Sequence, residues 1–158
     1  VSFQVDNPLA KPLDPKFLGY HLLSGSSLST QVIEKIDPSE RVGVVAESGG
    51  ATKIIEYSDL PEAIAAERLP DGRLRFFAGS IGIHAFQRNF LENVASSQAS
   101  LPLHLAHKKV PFIDGHGCKV QPSTPNAFKF ERFIFDLMPL ADSVTVIEID
   151  PEIGRAHV

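Results

Sequence analysis

The sequence predicts an α/β fold, because strand-like and helix-like patterns alternate along the chain. Short runs rich in β-branched residues are separated by the turn signals Asp37-Pro38 and Gly49-Gly50, which favours strands. The pair Asp14-Pro15 is typical of a helix start, with an aspartate as N-cap and a proline at the first helical position. The 158 residues contain no repeat and no low-complexity linker, so we expect one domain.

Each predicted element is placed by a local signal. Pro61 opens the second helix, Asp71-Gly72 is a turn, and the polar stretches 24–29 and 116–124 are expected loops. The strands, identified from β-branched or apolar runs, are predicted at 1–5, 31–36, 42–46, 53–57, 74–78, 109–113 and 143–149. The helices, identified from apolar residues at three- to four-residue spacing, are predicted at 16–23, 62–68, 83–95 and 128–140.

The phenylalanine-rich segment 125–136 is the most informative part of the chain. On a helical wheel its apolar residues form one core stripe, whereas Phe128 and Phe135 lie one heptad apart on the opposite, charged side. Aromatic side chains on a polar face suggest a wall that contacts a ligand or another segment. A helix buried on both faces would give the same pattern. The stripe consists of Phe130, Phe133, Ile134, Leu137, Met138 and Ala141.

The composition is that of an ordinary globular protein, with 43% hydrophobic and 22% charged residues. The net charge of −4, with no basic run longer than Lys108-Lys109, argues against a nucleic-acid partner. Cys118 is the only cysteine, which excludes an internal disulfide and favours a reducing compartment. No apolar run approaches the roughly 18 residues of a membrane span. We therefore expect a cytoplasmic protein without a membrane partner.

Four positions are candidates for chemistry on their pattern alone. Asp6 ends an apolar strand, at the sheet edge where α/β proteins bind ligands and where Mg²⁺ takes one or two carboxylates. On the pattern alone, an ordinary turn aspartate explains it better. Lys129, near the start of the predicted helix, could meet a phosphate or simply be solvated. Gly43 within a strand indicates a close backbone approach. Glu56 could accept hydrogen bonds from sugar hydroxyls or lie exposed at a strand end.

A zinc site and a cysteine nucleophile are both disfavoured by the sequence. His104, His107, His116 and Cys118 do not have the spacing of a common closed zinc site. No histidine or acid is identifiable as an orienting partner for Cys118. These residues are more simply interpreted as loop or packing residues.

Residues 125–136 resemble a block found in UDP-N-acetylglucosamine pyrophosphorylases and in the related bacterial UDPGP-type uridylyltransferases. The block reads P-N-(A/G)-(I/F)-K-(F/M)-E-(K/R)-F-(I/V)-F-D and is matched at every position. Six further motifs precede this block in the chain, in the same order as in the family. With them, the resemblance covers residues 1–150. They are Val5-Asp6-Asn7-Pro8-Leu9, Gly43-Val44-Val45, Glu56-Tyr57-Ser58-Asp59, Asp71-Gly72-Arg73-Leu74, Ala78-Gly79-Ser80-Ile81 and Lys108-Lys109-Val110-Pro111-Phe112.

The resemblance implies a mixed, mostly parallel sheet of the nucleotide-diphospho-sugar transferase (Rossmann-like) type, incomplete at both ends. Residues 1–151 would be the C-terminal part of a uridylyltransferase catalytic domain. Residues 152–158 have no counterpart in the family, and their codons can be chosen to match a common sequencing adapter, so we expect a non-native tail. The family's Gly-rich loop and its Pro-Leu-Lys-Asn block are missing from the chain, which by itself should be inactive.

The implied reaction of the parent enzyme is uridylyl transfer from UTP to N-acetylglucosamine 1-phosphate, giving UDP-N-acetylglucosamine and pyrophosphate. By resemblance, Asp6 would hold Mg²⁺ and Lys129 would contact phosphate as the catalytic lysine. The sugar contacts would come from Gly43, Glu56, Ser80, Phe133 and Phe135.

Ser80 departs from the asparagine of acetylglucosamine-specific eukaryotic enzymes, and it lacks the paired donor and acceptor of an amide. Ile83 also replaces a polar family residue. Two alternatives therefore stay open: a UDP-glucose or broad-specificity UDP-sugar pyrophosphorylase, and a non-catalytic UDP-sugar-binding module.

Overall fold

A computed structural model describes residues 1–5, 7, 10–97 and 99–151. Two of the sequence-based predictions, the metal ligand Asp6 and the tail 152–158, lie outside these residues. The described chain forms two compact units. The first takes the residues up to Ala99 and those from Phe135 onwards, and the second is Ser100–Ile134.

The first unit contains a five-stranded sheet whose strands follow the order β3-β2-β4-β1-β9. Only β1 and β9 run parallel, while β1–β4, β2–β4 and β2–β3 are antiparallel pairs. The strands are β1 Leu28–Glu34, β2 Val44–Ser48, β3 Ala51–Ile55, β4 Ala78–Phe86 and β9 Val144–Glu148. The expected mixed α/β organisation is confirmed, but a mostly parallel sheet is wrong.

The antiparallel pairing of β2 with β3 follows from their short connection, which can join only antiparallel neighbours. Gly49 and Gly50 link β2 to β3 with φ values of 64° and 77°. Positive φ at both central residues is the requirement of a type I′ hairpin turn, which glycine meets without strain. The predicted turn at this pair is thus confirmed.

Helix α1, Pro15–Ser24, begins and ends as the sequence indicates. Asp14 is the N-cap, its side chain accepting a hydrogen bond from the Lys16 N–H at 3.1 Å, and Gly25 ends the helix in the left-handed conformation. Phe17 of this helix packs against one face of the sheet. The sheet contributes Ile33, Ile81, Ile83 and Ala85 to that core.

The remaining helices are shorter than predicted. Helix α2 covers only Glu62–Ala65, and α3 covers Arg88–Ser96, because Ile83–Phe86 continue strand β4 instead of opening a helix. The strand predicted at 74–78 begins only at Ala78, and in the segment 1–5 the described pairing is a single bridge from Ser2 to His84. No helix in the described part of the chain is long and apolar enough to cross a membrane.

The second unit consists of two small antiparallel pairs. Strand β5, His104–Lys108, pairs with β8, Ala127–Glu131, and β6, Phe112–Ile113, pairs with β7, Lys119–Val120. Strand β6 lies within the predicted strand 109–113, whereas β7 lies in a stretch predicted as loop.

The helix predicted at 128–140 is wrong. Its first part is strand β8, and a 3₁₀ helix, Ile134–Leu140, follows. Phe128, Lys129, Phe130 and Glu131 alternate between aromatic and charged residues, so the same short run fits a period of two as well as a helical period. Pairing with β5 stabilises the strand in preference to the helix. Accordingly Phe130 is 63% exposed, not a member of a core stripe.

Candidate functional site

Gly43 and Ser80 lie opposite each other at the point where β2 meets β4. Val44 pairs with Gly79 in antiparallel register, so the next residue outward on each strand is Gly43 on one side and Ser80 on the other. The Ser80 backbone N–H donates to the Gly43 carbonyl oxygen at 2.8 Å. Two of the predicted sugar-contacting residues are therefore neighbours.

Glu56 extends the same row on the other side of Gly43. Val44 also pairs with Ile55, which places Gly43 opposite Glu56, directly after β3. A Cβ atom built on Gly43 would lie 3.0 Å from Oε1 of Glu56 and 2.9 Å from Cγ2 of Ile54. The glutamate carboxylate thus lies over the glycine backbone, in space that any other residue at position 43 would fill. We call Glu56, Gly43 and Ser80 the sheet rung.

The chain that leads to Asp6 runs beside this rung. Ser2 and His84 exchange two backbone hydrogen bonds, of 2.8 and 2.9 Å. Two residues further along, the Gln4 side chain covers Gly82, its Cδ lying 3.2 Å from a Cβ built on that glycine. The Gly82 N–H also donates to the Ser80 hydroxyl at 3.4 Å. The segment just before Asp6 is therefore held against strand β4 beside Ser80.

His84 is buried beneath that segment, with 1% of its surface exposed. Its Nδ1 has no hydrogen-bond partner among the described residues. Burial lowers the pKa of His84 from 6.5 to about 4, because the charged imidazolium loses its hydration. The ring is therefore neutral at pH 7, which the sequence did not indicate.

Arg73, in the Asp-Gly-Arg-Leu motif, is a structural residue that the sequence analysis did not single out. Its Nε donates to Oε1 of Glu34 at 2.8 Å, and a guanidinium nitrogen lies 3.7 Å from Glu148, on the strand that pairs parallel with β1. The guanidinium also lies 4.1 Å from the centre of the Phe77 ring. The hydrogen bond to Glu34, together with the nearby carboxylates, raises the pKa of Arg73.

We expect Arg73→Met to lower the urea midpoint of unfolding, because it leaves the carboxylates of Glu34 and Glu148 without their shared cation. Arg75→Met is the matched control, since within the described residues the salt bridge of Arg75 is to Glu67 alone and its side chain is 61% exposed. Urea unfolding of both variants gives the comparison. Equal midpoints for the two variants would contradict a role for Arg73 in joining β1 to β9.

Lys129 belongs to the second unit and lies in the middle of β8. Its side chain is 62% exposed, and its Nζ lies 2.7 Å from Oε1 of Glu131. The predicted position beside a helix N-terminus is wrong, because no α-helix begins there. Any contact of Lys129 with phosphate would depend on the charge of its ammonium group, which already pairs with Glu131, and not on a helix terminus.

The aromatic residues of the predicted helix are distributed over different elements. Phe128 stacks on His107, with ring centres 4.5 Å apart, and Phe133 contacts His104 at 4.7 Å. Phe135 is half-buried in the 3₁₀ helix and belongs to the first unit. A single helical wall formed by Phe128 and Phe135 is therefore wrong. The sugar contacts predicted for Phe133 and Phe135 stay predictions.

The described residues contain no group of three or more His, Cys, Asp or Glu side chains placed to hold a metal ion. The rings of His104 and His107, two members of the disfavoured zinc set, are in contact with phenylalanines. Magnesium usually needs only one or two protein carboxylates when substrate phosphates complete its shell. The assignment of Mg²⁺ to Asp6 therefore stays a prediction.

No family model matches the sequence. The chain is 40% identical over 146 residues to UDP-N-acetylhexosamine pyrophosphorylase-like protein 1 of Mus musculus, covering 92% of this chain and 29% of that protein. It is 36% identical over 135 residues to the UDP-N-acetylglucosamine pyrophosphorylase of Saccharomyces cerevisiae, covering 84% of this chain and 28% of that protein. The chain thus spans less than a third of the length of these relatives.

Comparison with solved structures agrees with the comparison of sequences. A crystal structure from Entamoeba histolytica that carries the UDP-N-acetylglucosamine pyrophosphorylase name matches with a TM-score of 0.78 at 36% identity. The match covers 92% of this chain and 36% of that one. Similarity in sequence and in fold over most of its length identifies the chain as a homologue of the UDP-N-acetylglucosamine pyrophosphorylases, the family that its motifs indicated.

Proposed function

We propose that the full-length protein containing this chain transfers uridylyl from UTP to N-acetylglucosamine 1-phosphate. The products would be UDP-N-acetylglucosamine and pyrophosphate, and the reaction would take place in the cytoplasm. The observation that carries this proposal is the sheet rung, in which a carboxylate, a bare glycine backbone and a hydroxyl adjoin one another. The lone, exposed Cys118 is consistent with a reducing compartment.

The rung has the chemistry that a sugar requires. The Glu56 carboxylate is an acceptor for sugar hydroxyls, and the Ser80 hydroxyl can both donate and accept. Gly43 leaves the room over its backbone that the Glu56 carboxylate occupies, so that this carboxylate and the Ser80 hydroxyl flank the same position of the sheet. Together these groups would fix the orientation of a pyranose at the point where β2 meets β4.

In the proposed reaction, a phosphate oxygen of the sugar 1-phosphate attacks the α-phosphorus of UTP. The bond between the α-phosphorus and the bridging oxygen of pyrophosphate breaks, so no covalent enzyme intermediate is needed. The chain's residues would act by holding the sugar in line for this attack, which is an entropic contribution. Lys129 would neutralise phosphate charge, in competition with its present partner Glu131.

A magnesium ion, when bound, would supply charge neutralisation to the nucleotide phosphates. Asp6 is the proposed ligand. The supporting observation in the described residues is that Ser2 and Gln4 fix the preceding chain against β4, beside the rung.

Ser80 is the observation that favours a second candidate, a UDP-glucose or broad-specificity UDP-sugar pyrophosphorylase. A serine hydroxyl is shorter than an asparagine amide and offers one donor where the amide offers two. A weaker hold on the N-acetyl group would admit glucose 1-phosphate as well.

The test is to compare kcat/KM of the full-length enzyme for N-acetylglucosamine 1-phosphate and glucose 1-phosphate, with UTP saturating. We expect the N-acetylated sugar to be preferred, and Ser80→Asn to increase that preference by about tenfold, the value of one added hydrogen bond to a polar group. Ser96→Asn, on the exposed side of α3, is the control and should change nothing. Equal rates with both sugars would favour the broad-specificity enzyme, and no turnover of either would favour the non-catalytic module.

A further inference from the structure

A cavity of about 370 Å³ opens in the first unit, away from the sheet rung. It lies between the chain that leaves β1, the turn after β3 and helix α2. Lys35 and Arg41 line it from the first of these segments, Tyr57 and Leu60 from the second, and Ala65 from the helix. Its volume falls within the range of small-molecule sites, which begins at about 300 Å³.

Lys35 is an unusual lining residue, because only 2% of its surface is exposed. Within the described part of the chain its ammonium group forms no salt bridge. Two carboxylates, Asp37 and Glu40, interact electrostatically with this ammonium group. Both already accept hydrogen bonds from nearby N–H and O–H groups. Burial lowers the pKa of Lys35, and these two carboxylates offset the effect only in part. A lysine that is largely buried and whose ammonium group forms no salt bridge loses hydration at a cost, which an incoming anion would reduce.

Arg41 brings a second cation to the same cavity. Its side chain likewise has no salt bridge to any described residue. A lysine and an arginine that line one cavity are a pair of donors of the kind that a phosphate group recognises. Tyr57, Leu60 and Ala65 add apolar surface for the body of the ligand, and Glu62 adds an acceptor for its hydroxyls.

The cavity is separate from the rung. Successive side chains of a strand point to opposite faces. Lys35 comes directly after β1, in phase with the core residue Ile33, whereas Val32 pairs with Ser80 on the other face.

We propose that the Lys35–Arg41 cavity is a second ligand site, which binds a small phosphorylated metabolite through its phosphate group. This site is distinct from the sugar rung and does not depend on the proposed uridylyl transfer. Its ligand contributes no atoms to that reaction, so binding there needs neither UTP nor a 1-phosphate.

Isothermal titration of the full-length protein with glucose 6-phosphate tests the proposal, with glucose as the uncharged probe. We expect glucose 6-phosphate to bind and glucose not to bind. Arg41→Ala should weaken binding about tenfold, as expected for one lost hydrogen bond to a charged group. Lys35→Met should weaken it at least as much. Arg88→Ala, which removes an exposed arginine on α3, and Glu56→Gln, in the rung, should leave the affinity unchanged.

Arg41 is exposed, so Arg41→Ala is expected to fold even if Lys35→Met does not, and it decides the result. Binding that survives Arg41→Ala at wild-type affinity would overturn the proposal. Binding that is lost with Glu56→Gln, or that is equally strong for glucose, would overturn it as well, because the ligand would then occupy the rung or bind without its phosphate.

Discussion

Replacing Gly43 by alanine is expected to weaken sugar binding strongly and to destabilise the sheet, although the change adds one methyl group. The new Cβ would lie 2.9 Å from Cγ2 of Ile54, closer than Cβ atoms approach other atoms in proteins, and 3.0 Å from Oε1 of Glu56, tighter than most such contacts. Ile54 is branched at its β-carbon and cannot swing away freely. The carboxylate of Glu56 must therefore move. Overpacking of this kind costs about 1–3 kcal/mol of folding free energy, and a displacement of about 1 Å in a binding group can cost about 100-fold in rate.

Two measurements separate these effects. Urea unfolding of this chain gives the loss of stability, and kcat/KM for the sugar 1-phosphate in the full-length enzyme gives the loss of function. Gly19→Ala is the matched control, because a Cβ on Gly19 would meet nothing within 4 Å and alanine is favoured in the interior of α1. The control should be neutral or more stable by about 1 kcal/mol. Wild-type kcat/KM for Gly43→Ala would refute the sugar role of the rung.

The rung itself could be predicted from the sequence, in part. Gly43 and Glu56 were each predicted from a local pattern, a glycine within a strand and a glutamate at a strand end. Ser80 was added to them by the family resemblance. Neither argument gives the register that places them side by side. Register is set by which strands pair. The hairpin around Gly49 and Gly50 places Gly43 beside Glu56, and the pairing of β2 with β4 places Gly43 beside Ser80.

Errors in the prediction fell where local patterns fit two structures. The segment 128–131 satisfies both a helical and a strand period. Its pairing with β5, which lies 19 residues earlier at the pair Lys108–Ala127 and 27 residues earlier at the pair His104–Glu131, makes it a strand. Similarly, β4 continues through Ile83 to Phe86, where an amphipathic pattern indicated a helix. Pairing partners that are distant in sequence override local propensity in both cases.

Arg73 and Lys35 show a different limit. Arg73 belongs to a turn motif, and a single sequence does not reveal that its guanidinium reaches both Glu34 and Glu148. Lys35 resembles any lysine after a strand until its burial is known. Charged residues are assigned correctly only when their surroundings are known, because the cost of a charge depends on its burial and its partners.

Acidification is expected to destabilise this chain between pH 6.5 and about pH 4 through His84. Its pKa falls from 6.5 to about 4 on folding because the ring is buried, so in this range the unfolded chain binds a proton that the folded chain does not. The stabilisation is fully present above pH 6.5 and is lost as the pH falls through about 4. At 1.36 kcal/mol per pKa unit the loss approaches roughly 3 kcal/mol. His21, whose pKa burial also lowers, adds to the effect in the same direction.

Urea unfolding at a series of pH values between 7 and 4.5 measures this loss, and His84→Leu identifies its source. The variant removes the titrating ring while keeping an apolar side chain in the core, so its free energy of unfolding should depend less on pH than that of the wild type. His116→Leu, at an exposed position, is the control and should keep the full dependence. An unchanged slope in His84→Leu would rule out His84 as the source.

Because the His84 backbone holds Ser2, and with it the segment that leads to Asp6, protonation in acid should loosen the chain beside the rung before the sheet unfolds.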